Sequence, residues 1–408
     1  MSDSELRSAW SKFLDDLRTA SDHIFDERIQ ASPGERGEAF RYLTQSLRLG
    51  FEFHFENDTP QHPYLMRYFY PTRKHAGDNA NALYYSAWID GSQTYRLVGN
   101  RGSAQWLVFS VLRRAEPQPG VDAWEMGEPY NFVLDAQPLL GDELQVEWDG
   151  SFEVILSPDP HPGNWIRTTP QAVHLRIRQF FNDWLNEDSV RLRIERVGAQ
   201  GAPPLMSPER AIDALRRAGQ FAVTSTKFWA TEFTQGIGPP NTMLARGGRP
   251  RPDASWIGQH DANPRSALAM CRCVIEPQEA LVLEFAPVPC RFWTLEFYNL
   301  WGQTVDYRWR LASLNTHQAA AEADGTIRVV LAHADPGVPN WIDVSGWREG
   351  SLSYRGLRSD TLPGFRTRLV KLAELPAVLP ADTLRITPEA RQAQIRLRAA
   401  GIDRRFRQ

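Results

Sequence analysis

The chain has 408 residues, more than one typical domain, and its 42% hydrophobic share is enough for a sizeable core. Its formal net charge of −3 gives no broad positive field, which argues against nucleic acid as a partner. No stretch approaches the roughly 18 uninterrupted apolar residues of a membrane span, so we expect no membrane partner. The charged opening residues contain no apolar signal core, and the cysteine count of three is odd. We therefore expect a cytoplasmic protein with reduced thiols.

Residues 1–60 are predicted to form an N-terminal helical segment. Apolar residues recur at three- and four-residue steps from Leu6 to Leu17, as in an amphipathic helix. A second helix is expected to begin near Glu35, after a Ser-Pro-Gly break. The next segment, FEFHFEND at 51–58, is ambiguous. As a strand it has a Glu/His/Glu face, for which a solvated surface is the preferred interpretation over a metal site.

Two stretches of the chain share one plan. They are DGSFEVILSPDPHPGNWI at 149–166 and DGTIRVVLAHADPGVPNWID at 324–343. Each has an Asp-Gly turn, a β-branched apolar run, an Asp-Pro turn and an Asn-Trp pair. This repetition predicts a tandem duplication of one β-rich unit, with the first unit at 61–168 and the second at 255–375.

The segments around these units are predicted to be helical or irregular. Thr169-Pro170 and Ser207-Pro208 are typical helix starts, which predicts a helical connection over 169–235. A Gly/Pro/Arg-rich loop is expected at 236–254, and a basic C-terminal helix at 385–408. The predicted fold class is mainly β with helical additions (α+β). It consists of tandem antiparallel β-sandwich or jelly-roll-like units with N-terminal, central and C-terminal helices.

From HDANPRSALAMCRCVIEPQEALVLEFAPVPCRFWTLEFYNL at 260–300 through the second repeat, the chain resembles the bacterial family called domain of unknown function 1214, over about residues 255–372. The first half is similar to the upstream region of such proteins at GDNANALYYSAWIDGSQTYRLVGNRG, residues 77–102. Such proteins often have Asp-Asn-Pro-Asp where this chain has Asp-Asn-Ala-Asn at 78–81, which argues against catalysis at that turn. The resemblance implies antiparallel β-sandwiches of the jelly-roll kind and implies no particular activity.

The second repeat contains the main candidates for chemistry. Asp335 and His333 are candidate catalytic residues, as a carboxylate/histidine pair. Asn340 and Trp341 would suit a sugar or polyol, with the indole stacking and the amide binding hydroxyl groups. The alternative is that all of these residues shape the turn. The first repeat has an equivalent Asp, Asn and Trp, which favours that structural interpretation.

Further ligand-binding candidates lie at turns and strand ends of the two predicted sheets. They are Asp78, Asn79, Tyr85, Arg101 and Asn299. No Gly-x-Ser-x-Gly, Walker, Rossmann or His-Glu-x-x-His motif occurs, so we predict no cofactor. No metal is predicted either. Cys271 and Cys273 are expected to be buried on one face of a strand rather than to bind zinc.

Three functions remain open from the sequence. The preferred one is binding of a small polar or carbohydrate-like molecule in a cleft of the duplicated sandwich, which predicts an aromatic-lined pocket. The second is a hydrolase or lyase, which predicts a buried carboxylate with a displaced pKa near a histidine or an arginine. A weaker third is an assembly protein with a large exposed apolar patch, and homo-oligomerisation also stays open.

Overall fold

The computed structural model of the protein describes residues 2–75, 77–114, 132–229, 237–245 and 266–407. Most of the predicted loop at 236–254, and the segment that follows it up to residue 265, lie outside the described residues. Within the described part, each helix is too short or too polar to cross a membrane.

Two helices form the N-terminal segment: α1, Asp3–Asp22, and α2, Pro33–Phe51. Ser32 caps α2 because its hydroxyl accepts a hydrogen bond from Glu35 N, and Glu35 Oε2 accepts one from Ser32 N at 2.7 Å. The ambiguous FEFHFEND segment continues α2 as a π-helical turn, Glu52–Glu56. Packing resolves the ambiguity, since this wider turn buries Phe53 against the first β unit.

The described residues of the first β unit form ten strands in two sheets. The strands are β1 Met66–Arg67, β2 Ala82–Trp88, β3 Tyr95–Asn100, β4 Trp106–Arg114, β5 Phe132–Leu134, β6 Leu139–Leu140, β7 Ser151–Ser157, β8 Trp165–Arg167, β9 Ala172–Phe180 and β10 Arg191–Arg196. The larger sheet has the order β1-β2-β9-β4-β5, with β6 also on β4, and the smaller has the order β10-β3-β7-β8.

The second β unit begins after helix α3, Pro208–Lys227. Its strands are β11 Leu244–Ala245, β12 Ser266–Val274, β13 Glu279–Phe285, β14 Phe292–Asn299, β15 Ser313–Asn315, β16 Ile327–Ala332, β17 Trp341–Asp343, β18 Glu349–Leu357 and β19 Arg366–Lys371. The larger sheet is β11-β12-β18-β14-β15, and the smaller is β17-β16-β13-β19. A short helix α4, Leu375–Val378, precedes the C-terminal helix α5, Pro388–Arg407.

The two units have the same strand order. The run β2-β9-β4 in the first corresponds to β12-β18-β14 in the second, and β10-β3-β7-β8 corresponds to β19-β13-β16-β17. In both units the strand after the Asn of the repeat pairs in parallel, whereas its neighbours pair antiparallel. The predicted fold class, mainly β in two similar units with added helices, is confirmed.

The predicted helical connection over 169–235 is wrong in its first part. Residues 172–180 and 191–196 form strands β9 and β10, so the first unit extends well past 168. Thr169 begins a turn rather than a helix, since its carbonyl accepts a hydrogen bond from Ala172 N. The sequence AVHLRIRQF alternates apolar and polar residues, and this two-residue period belongs to a strand in the middle of a sheet.

Each unit has its own core between its two sheets. Leu107, Phe109 and Ile177 belong to the core of the first unit, and Leu295 and Leu352 to that of the second. The opposite faces of the two larger sheets are turned toward each other. Leu357 of β18 and Trp106 of β4 belong to one apolar cluster at this junction, which we call the seam.

Helix α5 packs against both units and contains three buried arginines spaced seven residues apart. Arg391, Arg398 and Arg405 are each less than a tenth exposed. Arg398 Nε donates to Tyr307 O at 2.7 Å in the second unit, and its guanidinium lies 4.4 Å from the ring centroid of Trp184 in the first. The basic character of this helix therefore serves packing between the units as well as solvation.

The asparagine of each repeat joins a loop to the sheet. Asn340 Oδ1 accepts from Ala320 N at 2.8 Å, and its Nδ2 donates to Ala320 O at 2.7 Å and Arg328 O at 2.9 Å. Asn164 repeats this pattern with Gln145 N, Gln145 O and Glu153 O. Asn340 is buried whereas Asn164 is half-buried.

We expect Asn340→Ala to lower the free energy of unfolding by about 2–3 kcal/mol, because it leaves buried backbone groups without partners. Asn164→Ala should cost about 1 kcal/mol, since water reaches its partners. Urea unfolding of the two variants measures both values. A larger loss for Asn164→Ala would contradict the assignment.

Candidate functional site

The candidates of the second repeat are engaged in separate contacts. Asp335 accepts hydrogen bonds from Arg391 Nε at 2.9 Å and Nη2 at 3.1 Å, and from Gly337 N at 2.9 Å. His333 Nε2 lies 2.9 Å from Ile275 O instead. Trp341 Nε1 donates to Ala332 O at 3.0 Å. This geometry favours a structural role for the loop and does not form the predicted carboxylate/histidine pair.

Two other candidates lie apart from each other in the first unit. Tyr85 OH accepts from Arg67 Nη2 at 3.0 Å, and Arg67 Nη1 in turn donates to the carbonyl of Phe406 on α5. Arg101 donates from both terminal nitrogens to Ala104 O at 3.2 Å. Both side chains connect elements of the scaffold.

Three candidates lie at one place, the junction between the first unit and the turn after β14. Asp78 accepts hydrogen bonds from Thr304 N at 2.9 Å and from the Thr304 hydroxyl. Asn299 Oδ1 holds the same turn by accepting from two backbone N–H groups at 3.0 Å. Asn79 Oδ1 accepts from Asn81 N at 2.8 Å. The turn is thereby fixed from both sides.

This turn forms one wall of a pocket of about 450 Å³. The beginning of α2 and the loop after β17 form the other walls. Its lining combines carboxylates, cations, amides and one indole. Prominent members are Glu35, Arg41, Lys74, Asn299, Asp306 and Trp347.

Lys74 is a buried cation at the back of this pocket. Its Nζ donates to Thr304 O at 2.8 Å and Val305 O at 2.6 Å, and it lies 4.2 Å from the ring centroid of Tyr307. Burial lowers the pKa of Lys74 to about 8, although the nearby Asp78 charge opposes this shift. Burial also raises the pKa of Asp78 to about 6, against the effect of Lys74.

Glu35 has an unsatisfied oxygen beside the pocket. The residue is 5% exposed. Its Oε2 closes the cap of α2, but its Oε1 is buried and has no hydrogen-bond partner among the described residues. A buried carboxylate oxygen normally has a donor, so this residue marks a place where a further group fits. In the sequence, its capping pattern gives no sign of this second role.

A second buried network lies on the seam around Glu296. Glu296 accepts from Ala80 N at 3.3 Å and from Asn81 Nδ2. Asn81 Oδ1 in turn accepts from Trp184 Nε1 at 3.0 Å and Asn315 Nδ2 at 2.8 Å. Burial raises the pKa of Glu296 to about 8, so the carboxyl is largely protonated at neutral pH.

Sequence analysis missed Glu296 because this residue lies in an apolar strand, FWTLEFYN. Its partners are distant in sequence, as Asn81 is 215 positions away. A single acidic residue within a strand is normally solvent-facing in an antiparallel sheet, and only packing of a second unit on that face buries it.

The cysteines and the acidic residues do not form a metal centre in the part of the chain that the structure describes. Cys271 and Cys273 are buried with their Sγ atoms 3.8 Å apart, and these two and Cys290 are free thiols.

Fold and site together define a two-unit β protein with α-helices over the seam and a polar pocket beside it. The family described as protein of unknown function DUF1214 matches residues 275–359. This match lies within the second β unit. The predicted resemblance is thereby confirmed for the second unit.

A similar solved structure is that of an uncharacterised protein from Burkholderia cenocepacia. It is 30% identical, and the match covers 91% of this chain and 99% of that one with a TM-score of 0.81. A protein from Vibrio parahaemolyticus is 13% identical over 86% of this chain and 100% of its own, with a TM-score of 0.43, which is too low to support an argument. Comparison with curated proteins gives no match.

We expect replacement of the aspartate by asparagine to destabilise the protein unequally in the two repeats. Asp335→Asn should lower the free energy of unfolding by about 1–3 kcal/mol, because it weakens the acceptor of the buried Arg391 guanidinium. Asp159 is exposed, so Asp159→Asn should change stability by less than about 0.5 kcal/mol. Chemical unfolding of both variants tests this, and equal losses would refute the assigned role of Arg391.

We expect the buried carboxyl of Glu296 to make the free energy of unfolding depend on pH. Its pKa rises from 4.5 in the unfolded chain to about 8 in the folded one, so the folded state holds the extra proton between these values. The stabilisation that this bound proton gives the folded state is fully present below pH 4.5 and is lost as the pH rises through about 8. The slope reaches at most about 1.4 kcal/mol per pH unit for one proton. Glu296→Gln should remove this loss.

Urea unfolding of the wild type and of Glu296→Gln between pH 5 and 9 measures how the free energy of unfolding depends on pH. Asp78→Asn is the matched variant. The pKa of Asp78 is raised only to about 6, so this variant should flatten the acidic end alone. An unchanged slope in Glu296→Gln would show that the carboxyl is not protonated in the folded protein.

Proposed function

We propose that the protein binds a small, polar, carbohydrate-like ligand in the pocket between α2 and the turn after β14. The unsatisfied, buried Oε1 of Glu35 is the observation that carries this proposal, because a ligand hydroxyl would donate the missing hydrogen bond. The volume of about 450 Å³ lies within the range of roughly 300–1,000 Å³ that is usual for small-molecule sites.

The charges of the lining favour an uncharged ligand. Three acidic residues, Glu35, Glu38 and Asp306, face three basic ones. Arg41 is paired with Glu38 at 3.3 Å, and Arg310 is paired with Asp343 at 3.2 Å. Local pairing leaves no strong field of one sign to select an ion.

The other lining groups suit a polyol. Trp347 is half-buried and provides an apolar face against which a sugar ring would pack. Asn299 Oδ1 is engaged in the turn, but its Nδ2 has no acceptor within the described part of the chain and is available to donate to a hydroxyl. A polyol both donates and accepts, so it matches the carboxylates and the amide together.

A hydrolase or lyase is the second candidate function. It is favoured by the displaced pKa values of Lys74 and Asp78, about 8 and about 6, beside the pocket. Both groups are engaged with the 304–305 backbone or with Thr304, which favours a positioning role over proton transfer. Cytoplasmic location belongs to the same proposal, supported by free cysteines only 3.8 Å apart. Homo-oligomerisation stays a prediction.

Thermal shift of the full chain with a panel of neutral monosaccharides and inositols tests the proposal. A ligand at a hundredfold excess over its Kd should stabilise the protein by about 2.7 kcal/mol, and calorimetry then gives its Kd. Trp347→Ala and Asn299→Ala should reduce or abolish the response.

Trp309→Ala is the control, since this indole is exposed and does not line the pocket. It should respond as the wild type does. If no compound in the panel stabilises the wild type, or if Trp347→Ala binds equally well, the proposal is wrong. Chromatographic detection of a converted compound would favour the enzyme.

A further inference from the structure

Three buried side-chain amides line the polar pocket. They are Gln45 of α2, Asn299 at the end of β14 and Gln303 of the turn that follows. Their exposed fractions are only 8%, 4% and 4%. Each amide uses one of its two polar groups to hold the scaffold, so the other group is left for whatever occupies the pocket.

Backbone groups fix which way each amide points. Gln45 Oε1 accepts from Lys74 N at 2.7 Å, and Gln303 Nε2 donates to Lys74 O at 2.9 Å. Asn299 Oδ1 accepts from Trp301 N and Gln303 N, both at 3.0 Å. A backbone N–H only donates and a backbone C=O only accepts, so reversing any of these amides would set like groups against each other. The fold therefore determines the orientation of all three.

The remaining amide groups are two donors and one acceptor. Gln45 Nε2 and Asn299 Nδ2 donate to nothing within the described ranges, and Gln303 Oε1 accepts from nothing there. Gln303 Nε2 also donates to Gln45 Oε1 at 3.1 Å, which holds these two amides side by side. The buried Oε1 of Glu35 adds a second acceptor. The pocket thus has two donors and two acceptors in fixed positions, and leaving them unpaired is costly.

An acylamino group matches these four groups better than a single hydroxyl does, because its donor and its acceptor are separate atoms. Its carbonyl oxygen has two lone pairs and no hydrogen, so it can accept from Gln45 Nε2 and Asn299 Nδ2. Its N–H can donate to Glu35 Oε1 or to Gln303 Oε1. Acylation also removes the positive charge of an amine, in keeping with the paired charges of the lining. The acyl methyl group would pack against the half-buried Trp347.

We propose that the ligand of the polar pocket is a sugar that carries an acylamino group, and that Gln45, Asn299 and Gln303 determine this specificity. The specificity rests on the function proposed above, because it concerns the same pocket. A sugar without the acylamino group would leave at least one of the buried amide groups unpaired, so the pocket should discriminate against it.

Calorimetry with the full chain tests this specificity on matched sugars. Glucose, galactose and mannose are each compared with their N-acetylated 2-amino form, and the free amino sugar of the same stereochemistry serves as the charged form. In at least one of the three pairs, the N-acetylated sugar should bind at least about tenfold tighter than its parent. The free amino sugar should bind more weakly than the N-acetylated one, because it has no carbonyl acceptor and carries a charge.

Two amide-to-acid variants test the assigned donors. Gln45→Glu and Asn299→Asp keep the oxygens that accept from backbone N–H groups, but each replaces the free NH2 group by an oxygen. An oxygen that faces the ligand carbonyl repels it, so each variant should weaken binding of the N-acetylated sugar roughly tenfold more than binding of its parent. Gln171→Glu is the matched control. It adds the same charge at an exposed residue that does not line the pocket, and it should bind both sugars as the wild type does.

The possible results separate the two proposals. If the N-acetylated sugars bind no tighter than their parents, or if a free amino sugar binds tightest, the specificity is wrong although binding of a polar ligand stands. If both acid variants keep the wild-type ratio of the two affinities, the amides do not determine the specificity. If no sugar or inositol binds, both proposals are wrong. The comparison of sugars on the wild type decides the matter even where an acid variant does not fold.

Discussion

The structure depends on how the polar outer face of β14 and β18 is covered. A sheet of this kind normally exposes such a face to water, but here the first unit and α5 lie on it. Glu296 is accommodated by keeping its proton and by accepting bonds from Ala80 N and Asn81. Burying an unpaired charge is costly. The two units therefore pack so that Ala80 N and Asn81 donate hydrogen bonds to Glu296.

Helix α5 adds two buried cations, Arg398 and Arg405, between the units. Their main partners are backbone carbonyl oxygens and aromatic rings. Burial lowers the pKa of Arg398 to about 9, and its hydrogen bonds to Tyr307 O and to Ser313 offset the desolvation. Arg405 donates to Ala80 O, close to Glu296. Since these arginines contact both units, the helix couples the two halves through directional bonds rather than through apolar contact alone.

The two units share one strand order, but their candidate sites differ. The asparagines of the two repeats keep one role, whereas the aspartates differ because only Asp335 meets Arg391. Arg178 and Arg355 retain one position, yet Glu296 of β14 corresponds to Ser110 of β4. Equal strand order therefore does not imply equal chemistry.

The sequence alone determined the features that depend on local pattern. Periodicity and capping residues predicted α1, α2 and the C-terminal helix, and the repeated turns predicted two similar β units. The prediction from sequence was wrong at β9. A Thr-Pro pair there resembles a helix start, although the alternation of apolar and polar residues that follows belongs to a strand. Of its site candidates, Asp78 and Asn299 hold the same turn after β14.

Only the tertiary structure decided the rest. Lys74 contacts residues 230 positions away, and Glu296 meets a residue 215 positions away. Their burial, and with it their displaced pKa values, arises from the packing of two units and a helix. No local pattern encodes that packing, because desolvation depends on what covers a side chain and not on its neighbours in sequence.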